Sequence, residues 1–248
     1  MQSVIRTIHP QTTLTPITII ERPGLNNSTG QRLWDCAIAL SSYLSLHPTS
    51  LHPSPPSSDQ KTKKKAKLDP LTPPAALTCL ELGAGCALTS LVAATLLPPS
   101  SASSTIIPSD VEVTFSTTLK ENLDANPSHR ALIHPAVLSW GPLPPAEVLD
   151  ILSVDGLSRD ADRALTILGS DILYNPESHR VLLDTLLAFM RHPRIRTAQA
   201  LIAYKPRTEG DGEFFPLAEK ESFEVEKVWE WGELGVYRLT LALRDEAT

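Results

Sequence analysis

Cysteine is scarce in this chain: Cys36, Cys79 and Cys86 are the only three in 248 residues. An odd number without a C-x-x-C pair supplies neither a disulfide framework nor a zinc site. The seven histidines are scattered and form no H-E-x-x-H pattern, so the usual zinc-hydrolase signature is missing too and no metal is expected. The thiols read as reduced cysteines of an intracellular protein, the imidazoles as surface or core side chains. Met1 to Pro10 lacks the apolar run of a secretory signal, and no stretch approaches the ~18 consecutive apolar residues of a membrane span. Positive charge is in deficit as well: 22 Lys and Arg stand against 28 Asp and Glu, a net charge of −6. That balance argues against a general nucleic-acid binder. A soluble, cytoplasmic monomer is expected, without membrane contact.

What the chain does have is an ordinary globular share of hydrophobic residues, 42%, with 20% charged. Its length fits one α/β domain with an insertion, or two small domains. Proline is abundant, at 22 residues, and unevenly spread. His47 to Ala76 is rich in Pro and Ser and has almost no apolar periodicity, so it cannot offset the entropy of ordering and reads as a flexible insertion. Its basic run, Lys61-Thr62-Lys63-Lys64-Lys65-Ala66-Lys67, has two readings, a solvated linker or a nuclear-import signal. The expected layout is an N-terminal strand and helix over residues 1–46, the insertion over 47–76, and a catalytic core over 77–248.

Thr12 to Glu21 is β-branched and reads as a strand or hairpin. Gln31 to Leu46 carries apolar residues at helical spacing. Beyond the insertion, strand patterns at Leu77–Leu82, Thr105–Ile107, Ala131–Leu138, Ala164–Gly169 and Ala198–Lys205 alternate with helical ones at Ala87–Leu97, Val113–Ala125 and Glu177–Met190. Ser222–Trp229 and Val236–Leu243 alternate at period two and read as a terminal antiparallel hairpin. The alternation predicts an α/β, Rossmann-like doubly wound sheet of about seven strands, mostly parallel, closed by that hairpin. Ligands of such sheets bind beyond the carboxyl ends of the strands, at the switch point.

The first such end is Glu81-Leu82-Gly83-Ala84-Gly85-Cys86-Ala87-Leu88. Glycines there permit a tight turn and close approach of a ligand to the backbone. The next strand ends at Asp110, where a carboxylate can accept hydrogen bonds from both hydroxyls of a ribose. Glu81 stands where it can meet a cationic ligand group. Either acid alone reads equally as a loop charge or a cap; the order Glu-x-Gly-x-Gly, then an acid after the following strand, is far more specific.

With these elements the sequence resembles the class I, seven-β-strand S-adenosylmethionine-dependent methyltransferases, and within them the protein-lysine methyltransferases of methyltransferase family 16. The motifs agree in order. Gly30-Gln31-Arg32-Leu33-Trp34-Asp35 is similar to the family's first helix, and Glu81 to Leu88 to its glycine-rich turn. Ser109-Asp110, followed by Asn122 and Asn126, resembles its Thr-Asp…Asn-x-x-x-Asn pattern. Leu138-Ser139-Trp140-Gly141 and Asp171-Ile172-Leu173-Tyr174 resemble its Leu-x-Trp-Gly and Asp-x-x-Tyr signatures. Tyr204-Lys205-Pro206-Arg207 with Phe214-Phe215 is similar to a late Tyr-x-x-Arg…Phe-Phe element. The chain departs from the pattern at Ala87, where a third glycine is usual, and at Leu165, where an acid is usual.

The resemblance implies S-adenosyl-L-methionine as cofactor. It implies that Trp34 and Trp140 flank it, that Gly83, Ala84 and Gly85 lie against its methionine part together with Glu81, that Asp110 holds the ribose, and that Ser170 contacts the adenosine. Asp171 and Tyr174 are the implied catalytic pair at the acceptor, with Arg207 or Tyr204 shaping the pocket. The implied partner is a protein presenting a lysine, a translation elongation factor first. A small-molecule, nicotinamide-type N-methyltransferase and a non-catalytic binding protein on the same fold remain open at this point.

Overall fold

A computed structural model of the chain describes residues 3–10, 15–24, 29–53, 76–97, 104–143, 145–151, 163–207 and 210–242. Seven strands make one sheet: β3 (Ala76–Leu82), β4 (Thr105–Asp110), β5 (Ala136–Val137), β6 (Arg163–Ser170), β7 (Ile195–Tyr204), β8 (Phe223–Trp231) and β9 (Leu234–Leu241). Their order is β5-β4-β3-β6-β7-β9-β8. The first five are parallel, and β9 runs antiparallel to both β7 and β8. The chain moves outward from β3 to β5, then returns to lay β6 on the other side of β3. The carboxyl ends of β3 and β6 therefore flank the switch point.

β3 is buried along its whole length, as a central parallel strand covered on both faces must be. Its side chains alternate between two cores. Leu77 and Cys79 pack on the side of α1 (Asp35–Leu46) and α2 (Leu88–Leu96); Leu80 and Leu82 pack on the side of α6 (His179–Met190). A helical rod from Glu112 to Asp124 consists of α3 (Glu112–Thr114), a π turn (Phe115–Leu119) and α4 (Lys120–Asp124). Two short helices, α5 (Ala146–Ile151) and α7 (Phe214–Lys220), fall in segments where the sequence gives no helical expectation. Among the described residues no helix is long and apolar enough to cross a membrane.

β1 (Val4–Ile8) and β2 (Ile17–Glu21) form a separate antiparallel pair. It is fastened to the domain through side chains. Asn126 accepts from the Thr18 N–H at 2.9 Å and donates to the Thr18 carbonyl at 2.7 Å; Asn122 does the same to Ile20 at 2.7 and 3.0 Å. Four residues along a helix advance about 6 Å, and two residues along a strand about 6.6 Å. Amides at i and i+4 therefore match the N–H and C=O groups of alternate strand residues, which is the physical sense of the Asn-x-x-x-Asn spacing. Beyond β2 the Arg22 N–H bonds the Gln31 carbonyl at 2.9 Å, and Glu21 accepts from the Leu33 N–H at 2.9 Å. The hairpin thus holds the segment leading into α1.

Some expectations are corrected. Ala131–Leu138 is not one strand: a 3-10 turn occupies Pro127–Leu132, Ile133 makes an isolated parallel bridge to Ile106, and the strand itself is only Ala136–Val137, because Pro135 inside the run has no N–H to donate. The helix expected from Gln31 starts at Asp35, after a 3-10 turn at Thr29–Gln31. The front of the expected insertion is packed: Leu51 is fully buried and its carbonyl accepts from the Thr166 hydroxyl at 2.7 Å. Residues 54–75, with the lysine run, lie outside the described residues.

Candidate active site

A cavity of about 570 Å³ opens at the carboxyl ends of β3, β4 and β6. Its wall includes Trp34, Gly83, Ala84, Gly85, Asp110, Trp140, Ser170, Asp171 and Tyr174. One of the expected site residues, Glu81, is absent from that wall. Its side chain is buried at the end of β3, and its Oε2 accepts from the Ser90 N–H at 2.9 Å and the Ser90 hydroxyl at 2.5 Å. It secures α2 rather than facing a ligand, because the alternation of a strand buried on both faces turns it inward. Burial pushes its carboxyl up to about 7.

The glycine turn is left-handed at Gly83 (φ +62°) and Gly85 (φ +51°). A Cβ on Gly85 would stand 3.0 Å from the Gly30 carbonyl oxygen, so the segment before Trp34 lies directly against the turn. Ala87, where a third glycine is usual, also adopts a left-handed conformation at φ 58°. Asp110 closes the turn from β4. Its Oδ2 accepts from the Gly85 N–H and its Oδ1 from the Val111 N–H, both at 2.8 Å. Burial pushes its carboxyl above the ordinary range, and those two N–H donors pull it back.

Trp140 follows β5 and is positioned by backbone bonds on either side. The Leu138 N–H donates to the Asp110 carbonyl at 2.9 Å, and the Gly141 N–H to the Thr185 hydroxyl at 2.8 Å. Trp34 caps the front of α1, and its indole N–H donates to the Thr29 carbonyl at 2.9 Å. The guanidinium carbons of Arg32 and Arg207 each lie 5.2 Å from the Trp34 ring centre, a cation–π distance.

At the other strand end, Asp171 sits just past β6 in a left-handed conformation, φ 62°. Its side chain is 8% exposed and its Oδ2 accepts from Arg207 Nη2 at 2.6 Å. Its Oδ1 accepts from the Cys36 thiol at 3.6 Å. Burial, reinforced by Asp171, pushes that thiol up to about 12, so it stays an S–H donor at neutral pH. Tyr174 is 49% exposed at the rim, with its hydroxyl 3.4 Å from Thr29 Oγ1. Tyr204 does not reach the cavity wall; it is buried against Phe215 and Tyr237.

Sequence reasoning missed several wall residues. Arg32, Asn175, Ser178 and Asp211 line the cavity; Asp211 accepts from the Arg207 N–H at 3.1 Å and so fixes the loop that carries the guanidinium. Arg32 belongs to the Gly30–Asp35 motif and Asp211 is an acid just beyond Arg207, but neither has a local pattern that assigns it a role.

A family model described as lysine methyltransferase matches residues 14–221. No curated protein sequence matches the chain. Among solved structures the chain is similar to the CurJ carbon methyltransferase, at 15% identity over 70% of this chain and 50% of that chain, with a TM-score of 0.47. It is similar to the DszA carbon methyltransferase at 15% identity, over 82% and 53% of the two chains, with a TM-score of 0.45. A third similarity is to M. capricolum TrmK in complex with S-adenosyl-homocysteine, at 10% identity over 66% and 62%, with a TM-score of 0.38. The chain thus spans about half the length of the first two. With the family model covering residues 14–221, the chain belongs to the lysine methyltransferase family, whose methyl donor is S-adenosyl-L-methionine.

Proposed function

We propose that the protein is a protein-lysine N-methyltransferase. The observation that supports this most strongly is the Asp171–Arg207 pair, set on the same cavity wall as the glycine turn. The residues present suit the cofactor. Gly83 and Gly85 give a backbone a ligand can approach closely, Asp110 offers acceptors for ribose hydroxyls, and Trp140 an aromatic face for the adenine. Ser170 and Trp34 complete the wall around it. Bound there, S-adenosyl-L-methionine supplies an electrophilic methyl group on a sulfonium sulfur.

The protein's task is to present an amine in line with that methyl, so positioning supplies much of the rate. The amine must also be neutral. A free lysine near pKa 10.4 costs about 4.6 kcal/mol to deprotonate at pH 7. An isolated carboxylate at the acceptor would make this worse, because it favours the ammonium. Asp171 is not isolated. Arg207 cancels most of its charge at 2.6 Å, while the carboxylate keeps lone pairs that can accept from an amine N–H. The pair therefore orients the nucleophile without holding its proton. Tyr174, half exposed at the rim, offers a hydroxyl through which the proton passes to water.

The substrate lysine is proposed to enter at the exposed rim beside Tyr174, and a translation elongation factor is the first candidate on family resemblance. Incubation with radiolabelled S-adenosyl-L-methionine and cell lysate, separated into protein and small-molecule fractions, tests this reading. Label recovered as methyl-lysine in protein is the expected result; label confined to small molecules overturns it.

A further inference from the structure

Among the described residues, two cationic side chains line the cavity, Arg32 and Arg207. Arg207 is ion-paired with Asp171. The acids on the wall are likewise matched within the protein. Asp171 takes Arg207 and the Cys36 thiol, Asp110 takes the Gly85 and Val111 N–H groups, and Asp211 takes the Arg207 N–H. Arg32 differs. Among the described residues it has no carboxylate partner, and its contact is with the face of Trp34, 5.2 Å from the ring centre. A lone exposed arginine on a protein surface is unremarkable. This one is stacked on a ring that is itself fixed by the Thr29 carbonyl, two residues beyond Gly30, whose backbone touches Gly85. A held positive charge with no anion of its own stands beside the glycine turn.

We propose that Arg32 binds the α-carboxylate of the cofactor's methionine part. That carboxylate is the one anionic group of S-adenosyl-L-methionine, and the glycine turn is where the family resemblance puts its amino-acid end. The planar guanidinium suits bidentate pairing with a carboxylate. Stacking on Trp34 limits the rotamer entropy lost on pairing. The proposal rests on the cofactor of the family and not on the identity of the acceptor, so it stands or falls separately from the lysine reading.

Calorimetric binding to the full chain tests it with two ligands, S-adenosylhomocysteine and 5′-methylthioadenosine, which lacks the amino-acid part. The variant Arg32→Met keeps an apolar stem over Trp34 and removes the charge. Because Arg32 is exposed, the variant is expected to melt like the wild type without ligand. Its affinity for S-adenosylhomocysteine is expected to fall about 10- to 100-fold, the usual loss for a charge-assisted hydrogen bond, with methylthioadenosine affinity unchanged. Arg32→Lys, which keeps charge without the fork, is expected to fall between. An S-adenosylhomocysteine affinity within twofold of wild type in Arg32→Met overturns the proposal, as does an equal loss for both ligands. A wild type that binds both ligands equally overturns it too.

Discussion

Asp171 and Arg207 are 36 residues apart in the chain and 2.6 Å apart in space, joined across the carboxyl ends of β6 and β7. If the pair keeps the acceptor amine neutral, removing Arg207 leaves the Asp171 charge unbalanced. That charge then stabilises the ammonium and raises the acceptor pKa. For Arg207→Met the alkaline-rising limb of kcat, which reports the amine bound beside the pair, is expected to move about one pH unit upward. Asp171→Asn is expected to bind cofactor normally and to lose turnover by about 10²-fold, through misorientation of the nucleophile. Initial rates between pH 6.5 and 9.5, per cofactor-competent molecule, check both. A rate loss in Arg207→Met that is the same at every pH would show a merely structural role.

Asp110 has two duties, which one substitution can separate. Its carboxylate holds the Gly85 and Val111 N–H groups and is proposed to accept from the ribose. Asp110→Asn leaves one acceptor oxygen for this work. Stability is expected to fall by about 1–3 kcal/mol and cofactor affinity by 10-fold or more. Urea unfolding and calorimetry on the folded protein measure the two separately. A lower stability with an unchanged dissociation constant would confine Asp110 to the turn.

Glu81 predicts a pH dependence of stability. Its carboxyl is pushed from 4.5 to about 7 by burial, so the folded state binds the proton more tightly than the unfolded one. The resulting stability is fully present below pH 4.5 and lost as pH rises through about 7. The whole effect is at most about 3 kcal/mol. Glu81→Gln, which cannot ionise, is expected to gain on the wild type as pH goes from 5 to 8. Unfolding free energies that run parallel across that range refute the assignment.

Ala87 and Ala93 are both fully buried, but Ala87 is left-handed at φ 58° and Ala93 lies inside α2. Replacing Ala93 by Gly loses about 1 kcal/mol of helix propensity besides a methyl group. The same change at Ala87 relieves a left-handed strain of about 1–2 kcal/mol. Ala87→Gly is therefore expected to be near neutral and Ala93→Gly clearly destabilising, by at least 1 kcal/mol more. Equal losses in urea unfolding would mean that Ala87 carries no strain.

Much of the sheet is legible in the sequence because its central strands are short, mainly apolar runs: Leu77–Leu82 and Ala164–Gly169 fall within β3 and β6. Proline explains most of the rest. Pro216 disguises α7, since a proline in the first turn costs no hydrogen bond the helix would otherwise make. Pro145, whose carbonyl accepts from Val148 and Leu149 N–H, similarly starts α5 inside a stretch that reads as loop. At the site, local motifs mark Gly83, Asp110, Trp140 and Asp171, since each follows a recognisable strand or turn. What they do not show is pairing. Cys36 and Arg207 reach Asp171 from opposite ends of the chain, and no local pattern records that. Glu81 belongs to a motif too, yet its direction follows from β3 being covered on both faces.

The asparagine ladder fixes an order of events during synthesis. β2 emerges early, but the amides that complete its edge belong to residues made 102 and 108 positions later. At about 5–20 residues per second, that delay is roughly 5–20 s. Until then the edge of β2 that Asn122 and Asn126 complete stays unpaired, and the segment from Thr29 to Trp34 is not yet fastened to the domain through β2. The part of the wall that carries Arg32 and Trp34 is therefore made well before the amides that fasten it. A nascent chain halted before Asn122 contains the complete glycine turn and Asp110 but no finished cofactor site.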